Sequence, residues 1–171
     1  CQGTATAFTD LSTPTGSMYV SGLRTSYASS DQGTTWTSVS MPEIPVVGTG
    51  YLLTPVLCGL ANGEALISLT HFRSDLYKHT NGVLSRIRPT GEIVTLSNGS
   101  NYVWMVQDAT GRIYARTDNF TSSRESVDNG NTFVETSKPA PGIAFTSTNK
   151  VFSVTGVGGY SFGDVSSTTR A

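Results

Sequence analysis

The chain has 171 residues, 37% of them apolar and 13% charged, with a formal net charge of -1. That is enough apolar mass for one sizeable core, and nothing predicts a second domain. Without a basic run the chain lacks the electrostatic footprint of a nucleic-acid binder, which excludes that class. Its longest apolar stretches, such as Tyr51 to Leu60, are broken by Pro or Gly and are too short for a membrane-spanning helix.

Charged residues fall well below the usual quarter, and Ser, Thr, Gly and Asn take the surface positions instead, as expected of an extracytoplasmic protein. The sequence opens on Cys1. Three readings of that residue stand side by side. It looks like the lipid-bearing Cys of a bacterial lipoprotein, which would anchor the chain to a membrane. Alternatively it pairs with Cys58 in a disulfide, or the start is arbitrary. Cys58 itself lies in the apolar run Pro55-Val56-Leu57-Cys58-Gly59, where a thiol most often serves as a small buried hydrophobe.

Along the chain no long window has helical periodicity, and turn signals recur at intervals of about 8 to 12 residues, the pattern of an all-β chain. The first group of strands, 5–40, ends in a hairpin at Ser29–Trp36. Met41-Pro42-Glu43-Ile44-Pro45-Val46-Val47 follows as a connecting segment that either covers the core or forms an interface patch. The second group, 55–97, has strands at Val56–Leu60 and Ala65–Leu69 around an Ala61-Asn62-Gly63-Glu64 turn. After a loop it resumes with Val83–Ile87, a Pro89-Thr90-Gly91 turn and Ile93–Leu96. The third group, 101–137, turns at Asp108-Ala109-Thr110-Gly111 and ends in a second hairpin, Arg124–Glu135. The fourth, 143–171, offers Ala144–Thr146, Lys150–Ser153 and Tyr160–Phe162. Four groups of about 43 residues, each a short meander, match the repeat length of β-propeller blades.

Two of these hairpins share one motif. Ser29-Ser30-Asp31-Gln32-Gly33-Thr34-Thr35-Trp36 and Ser126-Val127-Asp128-Asn129-Gly130-Asn131-Thr132-Phe133 both read Ser-x-Asp-x-Gly-x-Thr-aromatic, with their Asp residues 97 positions apart. The Asp carboxylate can accept N–H groups of its own turn, and Gly supplies positive φ. Thr opens the returning strand, and the aromatic ring is expected to bury itself beneath the hairpin. The motif resembles the Asp-box, or BNR repeat, of sialidases, sortilin-like receptors, photosystem assembly factors and some glycoside hydrolases. That resemblance implies a β-propeller, with the motif as a structural staple. Asp31 and Asp128 are then structural residues, because a marker shared by unrelated functions specifies none of them. The expected fold is a β-propeller-like domain over 1–171 with about four four-stranded blades, either closed or an open arc that needs partners. A β-sandwich carrying the same hairpins is the structural alternative.

The catalytic pattern of sialidases is not met. Such enzymes carry a Phe/Tyr-Arg-Ile-Pro string ahead of the first Asp-box, whereas Ser85-Arg86-Ile87-Arg88-Pro89 has an extra residue and comes after it. No spacing singles out an Arg triad among the eight Arg residues. Gly159-Tyr160-Ser161-Phe162-Gly163 matches the nucleophile-elbow pattern, but only eight residues follow and no helix fits there, so it reads as a strand. Both His residues fall in Thr70–His79, where His71, Phe72, Arg73, Asp75, Tyr77 and His79 crowd an otherwise charge-poor chain. Their spacing matches no zinc signature. The segment reads as a solvated inter-strand loop and a candidate binding loop.

No catalytic residue, metal or cofactor is expected. The leading expectation is a non-enzymatic, extracytoplasmic structural or assembly component of a cell-surface or envelope complex, binding protein partners or itself. The alternative is a glycan-binding, lectin-like module using Phe72, Arg73 and Tyr77.

Overall fold

The computed structural model describes residues 9–21, 25–44, 51–73, 76, 78–108, 110–117, 123–136, 143–145, 150–155 and 159–164. Of these, 9–12, 51–54, 143–145, 150–155 and 159–164 are described through the backbone. Among them every strand pairs antiparallel with its sequence neighbour, and four meander sheets result. The first contains β1 (Thr9–Ser12), β2 (Met18–Ser21), β3 (Ser26–Ser29) and β4 (Thr37–Val39). The second contains β5 (Tyr51–Gly59), β6 (Ala65–Arg73), β7 (Lys78–Ile87) and β8 (Ile93–Asn98). In the third are β9 (Tyr102–Gln107), β10 (Ile113–Thr117), β11 (Ser123–Ser126) and β12 (Val134–Thr136). The fourth has β13 (Ile143–Phe145), β14 (Lys150–Thr155) and β15 (Gly159–Asp164). The Gly-x-Ser-x-Gly string lies wholly within β15.

One turn device joins strands in three of the sheets. In Thr13–Gly16, Leu60–Gly63, Arg88–Gly91 and Asp108–Gly111 the fourth residue's N–H donates to the first residue's carbonyl at 2.9–3.0 Å. Each of these glycines has φ between 84° and 89°, the left-handed conformation that closes a type I turn with a bulge. Pro14 and Pro89 occupy the second position, where their fixed φ suits the turn. The Gly-bearing turns named in the sequence at 61–64, 89–91 and 108–111 are all of this kind.

The structure divides into two compact units, Cys1–Val103 and Trp104–Ala171. In the first unit Tyr19, Ala28 and Val39 of the first sheet form one buried cluster with Leu57, Ala65, Ile67 and Ile87 of the second, flanked by Met41 and Ile93. Met41 thereby serves as a cover for the core. The Tyr19 hydroxyl donates to the Gly63 carbonyl at 2.6 Å, and burial, with Glu64 nearby, pushes its phenol well above the usual value. The second sheet is buried on both faces, because Cys58, Leu66 and Leu84 on the side opposite this cluster are also inaccessible. In the second unit Met105, Ile113, Tyr114 and Ala115 are buried. Arg112, just before β10, pairs with Glu125 of β11 at 2.7 Å.

Segment 70–79 departs from the loop expected there. β6 continues to Arg73 and β7 begins at Lys78, so His71 pairs with Thr80, Phe72 with His79 and Arg73 with Lys78. A bulge lies between Leu69 and His71, opposite Asn81 at φ 52°. Polar residues that read as loop formers satisfy each other across the hairpin, which allows a strand without an alternating apolar pattern.

Candidate functional site

The two repeated turns are superposable in their chemistry. In the first, the Ser29 hydroxyl donates to Asp31 Oδ1 at 2.8 Å and accepts the Gly33 N–H at 2.8 Å. Asp31 accepts the Thr35 N–H at 2.8 Å on Oδ1 and the Thr35 hydroxyl at 2.6 Å on Oδ2. In the second, Ser126, Asp128, Gly130 and Thr132 repeat these four bonds at 2.7, 2.9, 2.9 and 2.6 Å. The donors hold both carboxylates well below the ordinary range, at about 2, the Thr hydroxyl contributing most in each. Each carboxylate thus has its acceptors occupied by donors of its own turn.

Two features of these turns were not read from the sequence. The Ser side chains are buried and act as the hubs of the network. The residue before each Gly also has positive φ, 56° at both Gln32 and Asn129. The aromatic position differs from expectation as well. Trp36 is 40% exposed, and Phe133 is half-buried. The Trp36 ring lies beside Gly33, where a Cβ would stand 3.5 Å from the indole and 3.3 Å from Met18 Sδ.

The segment proposed as a binding loop is instead occupied with its own hairpin. His71 is 3% exposed, and desolvation lowers its pKa, favouring the neutral ring. Thr70 Oγ1 lies 2.7 Å from His79 Nδ1, and the Phe72 and His79 rings are tilted with centroids 5.2 Å apart. Asp75 and Tyr77 lie outside the described residues, as does Cys1. Cys58 is a buried thiol 3.8 Å from the Gly59 carbonyl. Among the described residues no three His, Cys, Asp or Glu side chains come together as a metal site. Arg86 and Arg88 are each within 3.6 Å of Glu64, and Arg88 also pairs with Glu92 at 2.6 Å.

The surface feature that sequence reasoning missed lies on the first sheet. Val20 pairs with Tyr27 across β2 and β3, one residue out of step with the buried pair Tyr19 and Ala28. Side chains alternate across a strand, so Val20 and Tyr27 point away from the core. Among the described residues they line, with Trp36, an open groove of about 320 Å³, in which Tyr27 is 41% exposed; Asp10 of β1 lies across from Val20 in the register. The signal was present in Ser26-Tyr27-Ala28, where a large ring alternates with small buried residues.

No family model and no curated protein matches the chain. Among solved structures, it is similar to YCF48 bound to a D1 peptide at 15% identity and TM-score 0.50, covering 88% of this chain and 48% of that one. YCF48 from Cyanidioschyzon merolae matches at 16% identity and TM-score 0.51, with coverage of 91% and 55%. A protein of unknown function from Bacteroides caccae gives 13% identity and TM-score 0.55, with coverage of 96% and 60%. The chain thus spans about half to three-fifths of the length of these structures. They are β-propeller proteins, and by its fold this chain, all-β and built of short antiparallel meanders, is propeller-like.

Proposed function

We propose that this chain is a non-enzymatic structural or assembly component of an extracytoplasmic complex, built from about four propeller blades and binding protein partners through blade faces and loops. The observation that carries this reading is the apolar groove of Val20, Tyr27 and Trp36, since an aromatic-lined face left uncovered suits a protein contact. The peptide-bound YCF48 structure supports it by example, as a propeller-fold protein holding a polypeptide. In this reading the repeated turns are Asp-boxes, held to their structural role by carboxylates that spend their acceptors internally. The low charge content supports an extracytoplasmic setting.

A native mass spectrum of material taken from its source tests this. A defined complex with other polypeptides is expected, and a lipid-sized increment on the peptide bearing Cys1 would support membrane anchoring. A bare 18.1 kDa species that instead retains immobilised sugars would replace the reading with the glycan-binding one, for which half-exposed Tyr27 and Trp36 offer stacking surfaces.

A further inference from the structure

Asn-Gly occurs four times in the chain, at Asn62-Gly63, Asn81-Gly82, Asn98-Gly99 and Asn129-Gly130. The pair suits tight turns, and it is also the pair most prone to spontaneous deamidation. The Gly backbone nitrogen, once deprotonated, attacks the carbonyl carbon of the Asn side chain. A ring C–N bond forms, the bond to the amide nitrogen breaks, and that nitrogen leaves as ammonia. Water then opens the cyclic imide at either carbonyl, giving Asp or isoAsp, with one water consumed and one ammonia released. Gly has no side chain to hinder the attack.

The reaction needs a Gly N–H that can lose its proton and swing towards the side chain, and the fold engages all four. Gly63 N–H donates to the Leu60 carbonyl at 3.0 Å, and Gly99 N–H to the Gly82 carbonyl at 2.6 Å. Gly82 N–H donates to Asn101 Oδ1 at 2.8 Å, and Gly130 N–H to the Ser126 hydroxyl at 2.9 Å. Burial separates the four. Gly63, Gly82 and Gly130 are buried behind an exposed Asn, whereas Asn98 and Gly99 are both exposed. A Cβ on Gly99 would meet nothing within 4 Å, while one on Gly82 would overlap the Ser100 carbonyl oxygen. Asn62 is held further, since its Nδ2 donates to Glu64 Oε2 at 2.9 Å and its Oδ1 accepts the Glu64 N–H at 3.1 Å.

We infer that Asn98 is the site at which the folded chain deamidates, and that Asn62, Asn81 and Asn129 are held latent by the buried, hydrogen-bonded N–H of the glycine that follows each. Opening an exposed turn costs less than opening a buried one, so the reactive geometry is reached first at Asn98. The new carboxylate adds one negative charge, taking the formal net charge from -1 to -2. It stands at the end of β8, the last strand of its sheet. Asn98 pairs there with Val83, so the isoAsp product, which carries an extra backbone carbon, lengthens the chain beside the bond from Gly99 to Gly82.

The test is peptide mapping of the intact protein after incubation at mildly alkaline pH, both folded and in urea, with the Asp and isoAsp forms of each peptide quantified. In the folded protein Asn98 is expected to convert about tenfold faster or more than Asn62, Asn81 and Asn129, and in urea that preference should disappear. Two variants address the N–H bonds themselves. Asn101→Ala removes the acceptor of Gly82 and should raise conversion at Asn81, and Ser126→Ala removes that of Gly130 and should raise it at Asn129. Each rise should be about threefold or more relative to the other two shielded steps. That ratio, taken within one chain, separates a released N–H from general unfolding, which quickens all three alike. No preference for Asn98 in the folded protein, a preference that persists in urea, or no rise in the ratio in either variant would each overturn the inference.

Discussion

Asp128 and Ser126 divide one hydrogen-bond network between the surface and the interior. The carboxylate sits at the surface and draws its low pKa from donors of its own turn, whereas the Ser hydroxyl is buried with at least three hydrogen-bonding contacts. Ser126→Ala therefore leaves buried donors unpaired and is expected to cost about 1–3 kcal/mol in denaturant unfolding. For the two Asp residues the folded pKa lies below the unfolded one. Their contribution is present above about pH 3.8 and lost as pH falls towards about 2. Acid titration should show that loss in the wild type, and a flatter profile in Asp31→Asn and Asp128→Asn. Gln32 holds left-handed backbone where its counterpart is Asn129. Gln32→Asn should raise stability by about 0.5 kcal/mol, read as a higher melting temperature. The hydrogen bonds from Asp to its own turn and the positive φ of Gly were legible in the motif, because short-range bonding is written in adjacent residues. The roles of Ser and of the residue before Gly emerge only with φ and burial.

Among the elements, strands joined by Gly-bearing turns were readable from sequence, since turn chemistry and β-branched runs are local signals. The β6–β7 hairpin was not. Its stability comes from cross-strand pairs such as Thr70 with His79, and the Asn81-Gly82 bulge imitates a loop signal. Gly82 is tightly held there, its N–H donating to Asn101 Oδ1 at 2.8 Å and its carbonyl accepting from Gly99 at 2.6 Å. A Cβ on Gly82 would overlap the Ser100 carbonyl oxygen. Gly82→Ala should destabilise by about 2 kcal/mol or more, measured by thermal unfolding. His71 gives the same hairpin a pH response. Its folded pKa is depressed, so the unfolded chain takes up the proton first, and stability should decline as pH falls below about 6.5. Protection factors of β6 and β7 amides, corrected for the intrinsic slowing of exchange at lower pH, should fall on the acid side, and His71→Phe should remove much of the effect.

For the whole molecule, antiparallel meanders at the spacing of propeller repeats were legible because each sheet carries its own turns. The exposure of Tyr27 and Trp36 was not, since a sequence does not say which sheet faces are covered. Tyr27 looks like any strand aromatic until the register with Val20 places it opposite the core. The proposed role requires that this face contact a polypeptide. The most direct measurement is site-specific photo-crosslinking from position 27 in the native source, with position 94, another exposed hydrophobe, as the control. One defined protein adduct is expected from position 27, lost on Val20→Lys and absent from position 94. Adducts of equal yield at both positions, or none at position 27, would contradict it.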